Sequence, residues 1–120
     1  MAGYNYVRLY AGPDGESHFE ECEIGYPDAR QISEAMPLTG WNVRTNTPSY
    51  DLDFHCAPRR QFIVNLTGEV EIEASDGEKR RFGPGTIMLV EDTTGKGHRS
   101  KAVSAEDRTS LWLHAPQGEK

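Results

Sequence analysis

The run Glu69-Val70-Glu71-Ile72-Glu73-Ala74, bracketed by turn residues, constrains this chain more than any other feature. A period of two puts Val70, Ile72 and Ala74 on one face and the glutamates on the other, the pattern of a strand with one buried face. Thr67-Gly68 turns before it, and Ser75-Asp76-Gly77 makes a hairpin loop after it. Lys79 to Phe82 returns, and Gly83-Pro84-Gly85 turns again. Gln61 to Leu66 reads as a strand, and Ile87 to Val90 is an apolar run short enough for a buried one. Gly97 to Val103 places His98, Ser100 and Ala102 on one face and Arg99 and Lys101 on the other. Further strands are expected at 4–10, 17–24, 41–44, 50–55 and 110–114. The strand at 17–24 is mixed on both faces, which suits an edge or an interface. Pro27 to Met36 is the helical candidate, a short turn capped by Asp28 and carrying Ala29, Ile32 and Ala35. Many short strands with at most one short helix predict an all-β sandwich or barrel, with residues 1–120 as a single domain.

Charge narrows the partners. Thirteen basic and 19 acidic residues give a formal charge of −6, which disfavours nonspecific binding to nucleic acid or to an anionic membrane. No stretch approaches the ~18 apolar residues of a membrane span. Met1 to Tyr10 lacks the apolar run of a signal peptide. The expectation is a cytoplasmic protein whose Cys22 and Cys56 are free thiols.

The stretch from Asp53 to His98 resembles the cupins, and in particular small single-domain bacterial members of that family without an assigned reaction. Gln61 and Gly68 have the spacing of the family's first motif, with Gln where Glu is usual. In one register His55 takes the first histidine position and Ala57 the second. In the other, Phe54 and Cys56 take them. Pro84-Gly85 opens a strand as in the second motif, and His98 stands where the last ligand falls. The segment from Glu91 to Gly97 replaces the family's usual turn and is longer. The resemblance implies a cupin-type jelly-roll barrel, a small-molecule ligand in its interior and a homodimer.

It also implies a site. His55, Gln61 and His98 would ligate one divalent ion, whether iron, zinc, nickel or manganese. That set is neutral and weaker than the family's usual one, so a metal-free site is the alternative. Without metal, His55 and His98 become the catalytic acid and base, since imidazole titrates near neutrality. Candidates for substrate binding are Trp41, Arg60 and Asp92. Trp41 would wall the pocket or pack in the core. Arg60 alternates away from Gln61, so its fork serves a ligand or an interface. Asp92 would bind a ligand hydroxyl, orient His98, or make a side-chain-to-backbone turn. Lys96 is set against an acidic substrate or plain solvent, His18 against an edge or the site, and His114 as structural. Three functional readings follow: an enzyme that is either a metal-dependent oxygenase or a metal-free isomerase, cyclase or dehydratase; a non-catalytic ligand-binding module; or a structural protein with a filled interior.

Overall fold

The computed structural model describes residues 3–117, which form ten strands in two sheets. The strands are β1 (Gly3–Ala11), β2 (Ser17–Gly25), β3 (Gly40–Asn46), β4 (Asp51–His55), β5 (Gln61–Thr67), β6 (Val70–Ala74), β7 (Lys79–Phe82), β8 (Ile87–Glu91), β9 (His98–Ala102) and β10 (Arg108–His114). One sheet has the order β2-β1-β8-β5-β10-β3, and the other β4-β9-β6-β7. The fold is all-β, a sandwich of the jelly-roll type. β2 is an edge strand, as its mixed faces suggest.

Period-two alternation holds where it is clearest. Val70, Ile72 and Ala74 are buried while Glu71 and Glu73 are not, and His98 and Ser100 are buried beside partly exposed Arg99 and exposed Lys101. Leu9, Ile63, Val70, Ile72, Phe82, Met88 and Val90 form the core between the sheets, with Val7, Phe19 and Trp112 packed against it. Each such side chain contributes about 1.5–3 kcal/mol through the water it leaves.

The helix expected over Pro27–Met36 does not form, and no helix occurs among the described residues. Asp28 does accept from the backbone, at Arg30 N (3.0 Å) and, through its carbonyl, from Gln31 N (3.1 Å). The turn stops there because Gln31 adopts φ 58°, a left-handed conformation that does not continue a right-handed helix. The chain then continues without regular secondary structure, and its Ile32, Met36 and Leu38 line one apolar groove with Phe62, Val64 and Leu113 of the larger sheet's outer face.

Candidate functional site

A cavity of about 220 Å3 opens between the sheets. It is smaller than the ~300–1,000 Å3 that suits drug-sized ligands. Ile63, Ile72, Met88 and Val90, which knit the core, also form its apolar wall.

His55 and His98 reach this cavity from neighbouring strands. They are register partners in the β4–β9 pair, with ring centroids 4.5 Å apart. Simple alternation along β4 would not achieve this. Leu52 faces the cavity, so His55, three residues on, should face away. A register shift between Leu52 and His55 inserts the extra residue that turns His55 inward and leaves Phe54 exposed. Gly97 makes the close approach possible. Its φ is 79°, and a Cβ there would lie 2.1 Å from the backbone oxygen of His55. Of the two registers read from the sequence, the cavity contains His55 and Ala57. Cys56 turns aside, its thiol donating to the carbonyl of Gly95 (3.2 Å).

Both rings are held in one tautomer. His55 Nδ1 lies 2.8 Å from the carbonyl of Asp53. A carbonyl only accepts, so Nδ1 carries the proton and Nε2 keeps its lone pair. His98 Nδ1 lies 2.6 Å from Asp92 Oδ2, which also accepts from Ser17 Oγ at 2.8 Å. Asp92 and Ser17 are fully buried, and His98 is 5% exposed. The chain Ser17–Asp92–His98 therefore fixes the ring and leaves Nε2 for the cavity. Asp92 Oδ1 is sealed from solvent without a partner among the described residues. A buried orphan oxygen costs about 1–3 kcal/mol, and natural proteins carry few of them. Of the roles open to Asp92, the geometry selects the orientation of His98.

Gln61 is 1% exposed and lines the same cavity. Its amide makes no side-chain hydrogen bond among the described residues. The histidine pair and Gln61 thus converge as the sequence suggests. A carboxylate behind a histidine would equally support a metal-bound imidazole, so the rest of the donor set decides whether a divalent ion fits. Two neutral imidazoles and a neutral amide offer such an ion no charge, and Arg44 and Arg108 line the same space. No group of three or more His, Cys, Asp or Glu side chains converges among the described residues. A neutral set of this kind would hold a divalent ion less tightly than one that includes a carboxylate.

Other candidates lie elsewhere. Trp41 pairs with Leu113 on the outer face of the larger sheet and is 61% exposed, so it neither walls the cavity nor packs in the core. Arg60 also points away from it: its Nε donates to Glu91 Oε2 and its Nη1 to the carbonyl of Pro116. Arg8 donates to the other oxygen of Glu91 at 2.6 Å. Burial raises the proton affinity of Glu91, but these two guanidinium donors outweigh it and hold the carboxyl below its ordinary range. Lys96 pairs with Glu16 (2.8 Å) and His114 with Asn42 Oδ1 (2.9 Å). His18 lies between Asp14 and Asp76, outside the site.

Among the cavity residues that escaped sequence reasoning are Arg44, Tyr50 and Arg108. Arg108 is 3% exposed, and its Nε donates to Asn65 Oδ1 at 2.8 Å. Alternation back from Trp112 through Ser110 would have put Arg108 on the inner face. The signal was masked because Leu111 and Leu113, the more apolar pair, lie on the other face.

No family model matches the chain. Cadherin-18 of Homo sapiens and of Bos taurus are each 30% identical to it over 83 residues, which cover 66% of this chain and 10% of the cadherin. The chain thus spans about a tenth of the length of the curated relatives it matches. Among solved structures, protein NMB1881 from Neisseria meningitidis superposes with a TM-score of 0.50 at 14% identity, covering 69% of this chain and 81% of that one. The conserved SPY1581 protein of unknown function from Streptococcus pyogenes gives 0.50 at 19% identity, covering 73% and 74%. At these identities the likeness carries the fold alone.

Proposed function

We propose that this chain is a cupin-type enzyme that moves protons on a small molecule held between the sheets, without a metal. The reaction class is isomerisation, cyclisation or dehydration. One observation supports this above the others: a buried carboxylate, itself held by Ser17, fixes Nδ1 of His98 and leaves Nε2 facing the cavity. A ring so fixed presents one nitrogen for taking or giving a proton, and the carboxylate stabilises the imidazolium formed in between. His55, with its own Nε2 free 4.5 Å away between ring centres, is the second proton carrier. Gln61 positions the ligand as a neutral donor or acceptor. The apolar part of the wall lowers the local dielectric and strengthens each of these interactions.

The test is a screen of hydroxy- and keto-substituted metabolites for product formation, run with chelator present. Wild-type turnover should survive chelation. His98→Ala should lose about 10²–10⁴-fold with the fold retained, and Asp92→Asn should retain binding while losing rate. Turnover that vanishes with chelator and returns with a divalent ion would transfer the chemistry to a metal. Tight ligand binding with no product would favour the second reading, a cupin that senses or carries its ligand; the small size and enclosure of the cavity support that reading too. We further propose that the protein works as a cytoplasmic homodimer.

A further inference from the structure

Proton transfer at the histidines leaves one feature of the cavity unused. Arg108 is 3% exposed yet has no carboxylate within ion-pair distance among the described residues. A guanidinium carries five N–H donors, and burying it with few acceptors is costly. Here the one side-chain acceptor is neutral, Asn65 Oδ1. The two Nη groups make no hydrogen bond among the described residues, and neither is sealed from solvent; the space they reach is the cavity that Arg108 lines.

The cation is also built in from behind. Asn65 is fully buried and is held in turn by its own amide donating to Thr86 Oγ1 (2.9 Å), whose hydroxyl donates to the carbonyl of Gly83 (2.6 Å). Gly68, with φ 73°, packs so close that a Cβ would lie 2.7 Å from the Cα of Arg108. Burial pushes the guanidinium down to about 10, which still leaves it charged at neutral pH. A second cation, Arg44, lies over the ring of Trp112 at 3.7 Å and lines the same space. No Asp or Glu among the described residues lines the cavity. In a chain of net charge −6 this is a local reversal of sign.

We propose that the cavity recognises a small carboxylate with an apolar body, its two oxygens docking on the free fork of Arg108 and its body lying against Ile72, Met88 and Val90. The planar fork of one guanidinium matches the two oxygens of a carboxylate, and the largely apolar wall suits a short hydrocarbon or aromatic remainder. Arg44 sits on the exposed side and draws the anion in. This assignment deepens the acid–base reading, because His55 and His98 share the cavity with the docked acid, but the anion site stands without it.

The probes are butanoate, hexanoate and benzoate, each paired with its neutral primary amide, and inorganic phosphate. Binding to the full chain is read by calorimetry and by the shift in melting temperature. At least one acid should bind about tenfold or more tighter than its amide. Arg108→Gln should abolish that preference, and Arg108→Lys should retain part of it. Should Arg108 variants fail to fold, Arg44→Gln at the exposed position should weaken the acids and spare the amides. Equal affinity for acid and amide, no binding of any acid to folded wild type, or a preference for phosphate would each overturn the proposal. His18→Gln, which lies outside the cavity, should bind the acids as wild type does. Acid binding without any His98-dependent turnover would leave the anion site standing and remove only the catalysis.

Discussion

His18 shows how one side chain ties separate parts of the chain together. Its Nδ1 lies 2.9 Å from Asp76 Oδ2 and its Nε2 3.1 Å from Asp14. Carboxylates only accept, so both contacts are satisfied only by the imidazolium. The hydrogen bond to Asp14, with that to Asp76, raises the proton affinity of the ring above the ordinary histidine value. The stability it contributes is therefore fully present below about pH 6.5, the unfolded value, and is lost as pH rises through the higher folded value. The group is 29% exposed, so salt screens the effect and it stays modest. His18→Gln should lower the melting temperature at about pH 5.5 and leave it nearly unchanged at about pH 8.5. A deficit of equal size at both pH values would mean that packing, not charge, is what the ring supplies.

At the scale of elements, the site depends on a departure from regular pairing. The sequence makes His98 legible, because β9 alternates cleanly and one face carries His98, Ser100 and Ala102. It makes β6 legible for the same reason. The inward turn of His55 is not legible, since the irregularity between Leu52 and His55 leaves no mark in residue type. Arg108 was hidden differently. It follows Glu106 and Asp107, so it reads as one more solvated charge, and the strand reads as starting at Ser110. The missing helix after Pro27 has its cause in one residue, Gln31, whose backbone no pattern of apolar spacing foretells. Gly97 is the hinge of the His55–His98 approach. Gly97→Ala meets a backbone oxygen at 2.1 Å and a positive φ together. It should destabilise the fold by about 2 kcal/mol or more in denaturant titrations. It should also separate the two rings, which would show as loss of mutual shift changes in their imidazole proton resonances. An unchanged midpoint with intact ring coupling would show that β4 and β9 can part without cost.

For the whole molecule, the outer face of the larger sheet matters as much as the interior. Ile32, Met36, Leu38, Trp41 and Val43 are all exposed there or beside it, the last two on an edge strand. Exposed apolar residues gathered in this way commonly mark a surface that another chain covers. Light scattering of purified protein should report twice the 13.4 kDa chain mass. A double change of Trp41 and Val43 to Lys should return the chain to a monomer with its fold intact. A monomeric wild type at all concentrations tested would remove the homodimer.

The acid-free lining of the cavity bears on how the protein behaves in a cell. Two cations face a confined space with no carboxylate among its walls in the described residues, so each raises the cost of the other, and an acid bound between them relieves that repulsion. A small acid then acts as a removable part of the architecture. Thermal resistance of the chain will follow the supply of that acid in its surroundings, by the ordinary mass action that links occupancy to folding.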